Sequence, residues 1–281
     1  MRWFRHLSGG TGPLVLEAQR RAVHVEGDDD LRPANSTERI AIIAHWAADA
    51  RVGRSASELT RAVLANGYDV VFVSTAQGPG PLEWAGGRPP RVTVLRRPNI
   101  GYDFGSWATA LERYPAIAAS THVLLLNDSL VGPFQPIDHL LEGFHRSAAD
   151  VWGLTDTTQF CHHLQSYCLG FKGRCLLESP LSLFWLNVRV EESRDEVIWR
   201  NEIGLSRLLE RERFVTDVAI PYWRVVGEGE NPTILGWRDL LDRGFPFVKR
   251  QLVRQPDIAP DGVQVPAEIR RHFGVELDEW L

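Results

Sequence analysis

Ile40-Ala-Ile-Ile-Ala-His45 and Asp69-Val-Val-Phe-Val-Ser74 are the two apolar runs on which the fold prediction rests. Both have the length of a buried β-strand rather than of a helix. The residues between them, Ser55–Asn66, repeat their apolar positions with the spacing of a helix, and Gly67 follows directly. Strand, helix and strand in this order predict a β-α-β unit with parallel strands.

The same alternation continues toward the C-terminus. The apolar character of Val70–Val73 and Val123–Leu126 is continuous, which is typical of strands covered on both faces of a parallel sheet. The predicted fold class is therefore α/β. Further strands are expected at Val92–Leu95, His122–Leu126, Asp150–Leu154, Gln165–Phe171 and Phe214–Val218, and further helices at Phe104–Arg113, Leu181–Val188, Glu196–Glu212 and Trp237–Arg243.

A chain of 281 residues is long enough for one large domain with appendages. We predict an N-terminal extension and linker over residues 1–38 and a main domain over residues 39–253. That domain divides into two halves, 39–135 and 136–253. Residues 254–281 are predicted to be a C-terminal tail.

Composition excludes several classes of protein. The 31 basic and 36 acidic residues are interspersed and give a net charge of −5, so a nucleic-acid partner is not expected. Three cysteines are too few for a disulfide framework and indicate reduced thiols. No apolar run reaches the roughly 18 residues of a spanning helix, and the first ten residues lack the apolar core of a signal peptide. We therefore expect a cytoplasmic protein.

Two segments have the residue types of a ligand site. Arg96–Trp107 joins a strand to a helix and contains two glycines with Asn99 and Asp103 near them, which suits a turn that approaches a ligand, although Asp103 as a simple helix cap is the alternative. Asn127-Asp-Ser129 ends a buried strand, where the ligand crevice of an open α/β sheet lies. An Asx turn is the alternative there.

Two further segments carry polar residues in the second half of the chain. His162–Tyr167 alternates polar and apolar residues, which puts His163 and Gln165 on one face of a strand. Glu202 lies on a helix whose apolar residues face the core, and by periodicity alone it could equally be a solvated charge.

The motifs occur in the order seen in the rhamnan synthesis F family, and the chain resembles that family from about Ile40 to Val253. They are Asn99-x-Gly-Tyr-Asp-Phe-Gly-Ser-Trp107, Leu126-Asn-Asp-Ser-Leu-Val-Gly-Pro133, Trp152-Gly-Leu-Thr155, His163-Leu-Gln-Ser-Tyr167, Glu202-Ile-Gly-Leu-Ser206 and Pro246-Phe-Val-Lys-Arg250. The family consists of bacterial glycosyltransferases associated with rhamnose-containing cell-wall and surface polysaccharides. The chain is also similar, more distantly, to inverting glycosyltransferases of the GT-A fold.

The resemblance implies a GT-A-like, Rossmann-type, mostly parallel sheet flanked by helices. It makes residues 39–253 a glycosyltransferase domain, with a nucleotide-binding half over 39–135 and an acceptor and catalytic half over 136–253. It implies a nucleotide-sugar donor, with deoxythymidine-diphosphate-linked rhamnose (dTDP-rhamnose) as the first candidate. The implied acceptor is a growing polysaccharide or a lipid-linked glycan, which would place the protein in the cytoplasm or peripherally on the inner face of the plasma membrane.

The resemblance also assigns residues to the donor. The nucleoside is expected beside Ala44, His45 and Ser74 at two strand ends. Near it the resemblance places Asn99, Gly101 and Asp103. Asn127, Asp128 and Ser129 stand where the GT-A relatives place Asp-x-Asp, so Mg²⁺ or Mn²⁺ is expected, if at all, at Asp128 and Ser129. Neutral side chains replace two carboxylates here, and Lys249 and Arg250 are the alternative partners of the diphosphate.

For catalysis, the resemblance makes Glu202 the general base of an inverting transfer, with Asp156 as the alternative base. Contacts to the acceptor or donor sugar are expected from the polar and aromatic residues Trp152, His163, Gln165, Ser166 and Tyr167. A core-packing role is the alternative, most of all for Trp152. A non-catalytic nucleotide- or carbohydrate-binding protein on the same scaffold is the second functional class. A dinucleotide-dependent enzyme is disfavoured because no strand is followed by Gly-x-Gly-x-x-Gly.

Overall fold

The computed structural model describes residues 12–27, 38–78 and 80–281. The strands, in chain order, are β1 (His24–Val25), β2 (Arg39–His45), β3 (Arg51–Val52), β4 (Asp69–Ser74), β5 (Glu83–Trp84), β6 (Val92–Arg96), β7 (His122–Asn127), β8 (Leu130–Val131), β9 (Val151–Thr157), β10 (His163–Leu164), β11 (Cys168–Lys172), β12 (Thr216–Ile220) and β13 (Val248–Lys249). The α-helices are α1 (Val15–Gln19), α2 (Arg54–Ala65), α3 (Tyr102–Arg113), α4 (Asp138–Arg146), α5 (Ser179–Leu186), α6 (Arg194–Val197), α7 (Ile203–Arg211), α8 (Trp237–Asp242), α9 (Arg250–Arg254) and α10 (Val265–Phe273).

Nine strands form one mixed, mostly parallel sheet, and helices flank it. Their order is β1-β6-β4-β2-β7-β11-β9-β10, and β12 pairs with β9. Strands β6, β4, β2 and β7 are parallel to one another, whereas β11 is antiparallel to both of its neighbours. The predicted β-α-β unit is present as β2, α2 and β4, and the α/β fold class is confirmed.

The strand order sets where a ligand crevice can form. The chain adds β4 and β6 on one side of β2 and then β7 on the other side. Open α/β sheets bind ligands at such a reversal, outside the carboxyl ends of the strands. At that edge the register pairs His45 with Ser74, Ala44 with Asn127, and Ser74 with Arg96.

Two apolar clusters cover the two faces of the sheet. One contains Leu59 and Val63 of α2 and Phe144 of α4, and the other contains Trp107 of α3 and Trp185 of α5. Strands β2, β4 and β7 contribute alternate residues to both clusters, which explains why their sequences are continuously apolar.

A third apolar cluster packs the C-terminal region against the rest of the chain. Val265 and Ile269 of α10 and Trp280 meet Val131 of β8 and Trp237 of α8. Residues 254–281, predicted as a C-terminal tail, contain the end of α9, three short 3₁₀ helices and α10. The domain division at residues 38, 135 and 253 stays a prediction, and most of segment 1–38 lies outside the described residues.

The predicted strand Gln165–Phe171 is interrupted. Leu164 of β10 pairs with Asp156 and Leu169 of β11 pairs with Gly153, so this side carries two more residues than the β9 segment opposite it. The extra residues form a bulge at 165–167, and bulges of this kind redirect side chains beside functional sites.

The predicted single helix Glu196–Glu212 is also interrupted. A π-helical segment, Ile198–Glu202, separates α6 from α7. The backbone angles of Glu202 are helical, so Glu202 ends this wide turn inside a continuous helical segment, directly before α7. Single π turns of this kind occur frequently at functional sites. Within the described ranges, no helix is long and apolar enough to cross a membrane.

Candidate active site

The carboxyl ends of β2, β4 and β7 place polar side chains at one edge of the sheet. Nδ1 of His45 lies 3.1 Å from Oγ of Ser74, and both residues are buried. Burial lowers the pKa of His45, which keeps its imidazole neutral. Ala44 is fully buried in the apolar core beneath this edge, so it contributes packing beside the crevice.

Asp103 and Asn127 come together from different elements. Asp103 lies in the first turn of α3, and its Oδ2 accepts a 2.7 Å hydrogen bond from Nδ2 of Asn127. Oδ1 of Asn127 in turn accepts the backbone N–H of Ser129 at 3.1 Å. The Asx turn considered as an alternative is therefore present, and Asn127 also joins the two predicted ligand segments.

The loop before α3 is fixed from inside by Arg97. Its buried guanidinium donates to Oγ of Ser106 at 2.8 Å and also to the carbonyl of Ile100. Gly101 has a left-handed φ of 72°, and a Cβ at this position would clash with Cγ2 of Val15 on α1. Packing on α1 therefore explains this glycine without a ligand. Asn99 is exposed on the same loop.

The ionisation of Asp103 is strongly perturbed. Burial, and next the negative charge of Asp128, raises the pKa of Asp103 to about 7, although the hydrogen bond from Asn127 opposes this. The carboxyl is thus poised to change its charge near neutral pH.

We expect Asp103→Asn to gain stability relative to the native protein as the pH rises. A carboxyl whose folded pKa lies above its unfolded value stabilises the fold below the unfolded value and loses that contribution as the pH rises through about 7. After allowing for solvent screening, the relative gain between pH 5 and pH 8 should be on the order of 1–2 kcal/mol. Urea unfolding of both proteins at the two pH values measures it, and an equal difference at both would contradict the assignment.

Asp128 makes hydrogen bonds with two segments that are distant in the sequence. Its Oδ2 accepts the backbone N–H of Trp46 at 3.0 Å, directly after β2. Its carbonyl accepts Nε of Arg250 at 3.0 Å. Half of the Asp128 carboxylate remains available because Oδ1 makes no hydrogen bond among the residues that the structure describes.

Lys249 and Arg250 reach the site through a short antiparallel ribbon. Strand β13 pairs with β8, so that Lys249 stands opposite Leu130. Nζ of Lys249 donates to Oγ of Ser129 at 3.2 Å, and the Arg250 N–H donates to the Ser129 carbonyl at 2.9 Å. Two cations distant in sequence are thereby placed against Asn127-Asp-Ser129.

Lys249 is a poorly hydrated cation without an ion pair in the described part of the chain. Burial lowers the pKa of Lys249 to about 8, against the opposing charge of Glu202. Its Nζ lies 5.2 Å from the ring centre of Tyr167, within the range of a cation–π contact. A cation held in this way can bind an anionic ligand, because no ion pair with a carboxylate has to be broken first.

Glu202 faces the same crevice from the π-helical segment. Its Oε1 accepts the backbone N–H of Ser166 at 2.7 Å, in the bulge between β10 and β11. Its charge also raises the pKa of Asp103, which indicates that the two carboxylates are close. Oε2 has no hydrogen-bond partner among the described residues. Glu202 is therefore a fixed carboxylate with one free oxygen.

Gln165 and Tyr167 belong to a buried polar network behind Ser166. Oγ1 of Thr155 donates to Oε1 of Gln165 at 2.6 Å and lies 2.6 Å from Oη of Tyr167. Nε2 of Gln165 donates to Oδ1 of Asn231 at 3.2 Å. This network holds the bulge in place, and with it the backbone N–H that binds Glu202.

The other carboxylate considered for catalysis has both oxygens engaged. Oδ1 of Asp156 accepts the backbone N–H of Tyr222 at 2.7 Å, and Oδ2 lies 2.8 Å from Nε2 of His162. The hydrogen bond with Asp156 raises the pKa of His162. Asp156 thus ties its hairpin to the segment after β12.

The remaining two predicted substrate contacts are buried. Nδ1 of His163 lies 2.8 Å from the carbonyl of Cys161, so it donates to the turn of its own hairpin. Trp152 is only 1% exposed and packs against Phe144, with ring centres 5.3 Å apart. The geometry of Trp152 agrees with its core-packing alternative.

The donor atoms at Asp128 and Ser129 fit a divalent cation poorly. The Ser129 hydroxyl already accepts a hydrogen bond from Nζ of Lys249. A metal cation bound to Ser129 would be repelled by this ammonium. In residues 12–27, 38–78 and 80–281 no group of three or more His, Cys, Asp or Glu side chains could hold a metal ion. Positive charge at this edge comes instead from Lys249 and Arg250.

Sequence reasoning missed several residues of the site. Thr155 and Asn231 have ordinary polar side chains whose role depends entirely on the bulge. Trp46 and Tyr102 adjoin Asp128 and Asp103 and are 45% and 46% exposed. The available signal for Trp46 was its position directly after a predicted strand. The available signal for Tyr102 was its position directly before Asp103.

Comparison with known proteins identifies the family. The family model of rhamnan synthesis protein F matches residues 91–273, which is more than half of the chain. The chain belongs to the rhamnan synthesis F family. This confirms the resemblance. The matched residues include Asp103, Asp128, Glu202 and Lys249.

Two curated relatives of this member of the rhamnan synthesis F family are distant. Virulence protein VirA of Vibrio anguillarum is 29% identical over 192 residues, which cover 57% of this chain and 62% of VirA. The uncharacterized protein y4gN of Sinorhizobium fredii is 27% identical over 119 residues, which cover 41% of this chain and 31% of y4gN. The chain thus spans less than two thirds of the length of either relative.

Proposed function

We propose that the protein transfers a sugar, with rhamnose as the first candidate, from a nucleotide-sugar donor to a growing surface or cell-wall polysaccharide or to a glycolipid. Its family supports glycosyl transfer as the reaction class. The observation that carries the proposal is the meeting of Asp103, Asp128, Lys249 and Glu202 at the carboxyl edge of the parallel strands. We place the reaction in the cytoplasm, with peripheral binding to the membrane when the acceptor is a glycolipid.

The donor in this proposal is dTDP-rhamnose, with its diphosphate beside Lys249 and Arg250. Two cations at this position can neutralise the negative charge that develops on the leaving diphosphate. The nucleoside would lie toward His45 and Ser74, where the strand ends are lined by neutral polar groups. Mg²⁺ and Mn²⁺ are not part of this proposal, because the Lys249 ammonium takes the position a metal would share with Ser129.

The reaction in this proposal is a single displacement with inversion. The acceptor hydroxyl oxygen forms a bond to the anomeric carbon and passes its proton to Oε2 of Glu202. The bond from that carbon to the diphosphate breaks, and its electron pair stays on the phosphate oxygen beside Lys249. Glu202 suits this role better than Asp156, because both oxygens of Asp156 are already occupied.

The test begins with donor binding and ends with product analysis. We expect dTDP-rhamnose to raise the melting temperature of the protein, because a ligand of the folded state stabilises it by mass action. A rhamnan oligosaccharide incubated with protein and donor should gain one deoxyhexose and release dTDP, equally with and without EDTA. Failure of every nucleotide sugar in a panel to raise the melting temperature would refute the proposal. Donor binding without transfer or hydrolysis would instead support the non-catalytic class.

A further inference from the structure

We propose that Phe160 and Trp199 form the subsite that binds the sugar of the acceptor next to Glu202. This inference rests on the proposed glycosyl transfer and adds the place where the acceptor glycan lies. It is carried by the backbone of Phe160, the contact between the two rings and the elements on which they lie.

Phe160 has an unusual backbone for an exposed aromatic residue. It lies in the turn between β9 and β10 with a left-handed φ of 74° and is 55% exposed. Left-handed angles are rare for bulky residues and persist where the surrounding structure enforces them, often at ligand sites. Folding alone would favour glycine or asparagine here, so the ring itself needs an explanation.

Trp199 connects this ring to the proposed base. The two ring centres are 5.4 Å apart at an angle of 47°. Trp199 belongs to the π-helical segment Ile198–Glu202, so it shares one wide helical turn with Glu202. The rings of Phe160 and Trp199 therefore contact each other, and Trp199 lies three residues before Glu202 in the same helical segment.

The hairpin and the helical segment are fixed relative to each other. The Leu164 N–H donates to Oγ of Ser206 at 3.1 Å, and the Ser166 N–H donates to Glu202 at 2.7 Å. These bonds tie β10 and the bulge to the helical segment on which Glu202 and Trp199 lie. A sugar stacked on the rings would thus keep a constant distance from Glu202, as a general base requires.

A glycan suits this surface better than a membrane lipid. Aromatic rings bind the C–H face of a pyranose, and the polar groups around them hydrogen-bond its hydroxyls. Oγ1 of Thr157 donates to the Glu230 carbonyl, and Oγ1 of Thr158 accepts the Gly229 N–H, so a segment that carries Glu228 and Glu230 is bonded to the start of this turn. Carboxylates on a segment bonded to the turn disfavour anionic lipid headgroups.

The sharpest test is Phe160→Gly, because glycine accepts the left-handed backbone while removing the ring. With dTDP-rhamnose as donor and a rhamnan oligosaccharide as acceptor, we expect the acceptor KM to rise at least tenfold. The rate of donor hydrolysis and the donor Kd should stay unchanged, and the melting temperature should not fall. Trp199→Ala should raise the acceptor KM similarly. Trp199→Phe keeps an aromatic ring, so its acceptor KM should lie close to that of the native protein. Leu183→Ala on α5, a site 52% exposed, is the matched control and should change neither constant.

An unchanged acceptor KM in Phe160→Gly would overturn the inference, and a lower melting temperature beside it would make the ring pair structural. Weaker binding of Phe160→Gly to phosphatidylglycerol vesicles with normal oligosaccharide kinetics would overturn it by assigning the rings to a membrane. If the native protein hydrolyses the donor but neither binds nor extends the oligosaccharide, this subsite is refuted and the proposed donor chemistry stands.

Discussion

Glu202→Gln should slow sugar transfer by about 10²–10⁴ while leaving the donor Kd unchanged, because a general base acts on the acceptor and not on the diphosphate. Glutamine has the same length, and its amide oxygen can still accept the Ser166 N–H that now binds Oε1 of Glu202. The bulge and the helical segment should therefore keep their positions. What is lost is the free carboxylate oxygen that takes the proton.

The measurement compares kcat for transfer with the donor Kd from calorimetry. Asp156→Asn is the matched control, since it makes the same chemical change at the alternative base. We expect a modest change in rate there and a lower melting temperature, because the contacts to His162 and Tyr222 are structural. A larger rate loss in Asp156→Asn at unchanged stability would move the base from Glu202 to Asp156.

The parts of the fold that could be predicted are those in which local pattern and burial agree. Strands β2, β4 and β7 are buried on both faces and therefore have continuously apolar sequences. Once these strands are parallel, their carboxyl ends must share an edge. The meeting of His45, Ser74 and Asn127 follows from that rule alone.

The parts that could not be predicted depend on contacts distant in the sequence. The bulge at 165–167 exists because Thr155, Gln165 and Tyr167 share hydrogen bonds across two strands. The π-helical turn before α7 has no helix-breaking residue in the sequence, and its carboxylate is held by the Ser166 N–H of another element. The clash that requires Gly101 comes from Val15, which lies before the predicted catalytic domain.

The ammonium of Lys249 is expected to contribute strongly to the reaction of the donor. Lys249→Met should lower kcat/KM for the donor by about 10²–10³, because it removes a cation placed where charge develops on the leaving diphosphate. Methionine keeps a long apolar stem and loses only the ammonium, which lies 5.2 Å from the ring centre of Tyr167. Isothermal titration with dTDP-rhamnose and steady-state rates measure the change.

Lys172→Met is the matched control, since Lys172 and Lys249 are the two lysines of the chain. Lys172 lies on β11 opposite His122, at the other edge of the sheet, and its Nζ donates to the carbonyl of His145 at 3.0 Å. Its loss should leave donor affinity unchanged. An equal loss of affinity in both variants would show a general effect of charge rather than a diphosphate contact.

The pH dependence of donor binding separates a cation at Lys249 from other causes of affinity. Because burial lowers the pKa of Lys249 to about 8, its ammonium is present below that pH and is lost above it. Donor Kd should therefore rise by up to tenfold per unit beyond about pH 8, where Asp103, whose pKa is about 7, is already largely ionised. Lys249→Arg keeps its charge throughout this range, so its Kd should not rise above pH 8. If Lys249→Arg and the native protein show the same rise above pH 8, another group titrates and Lys249 does not bind the diphosphate.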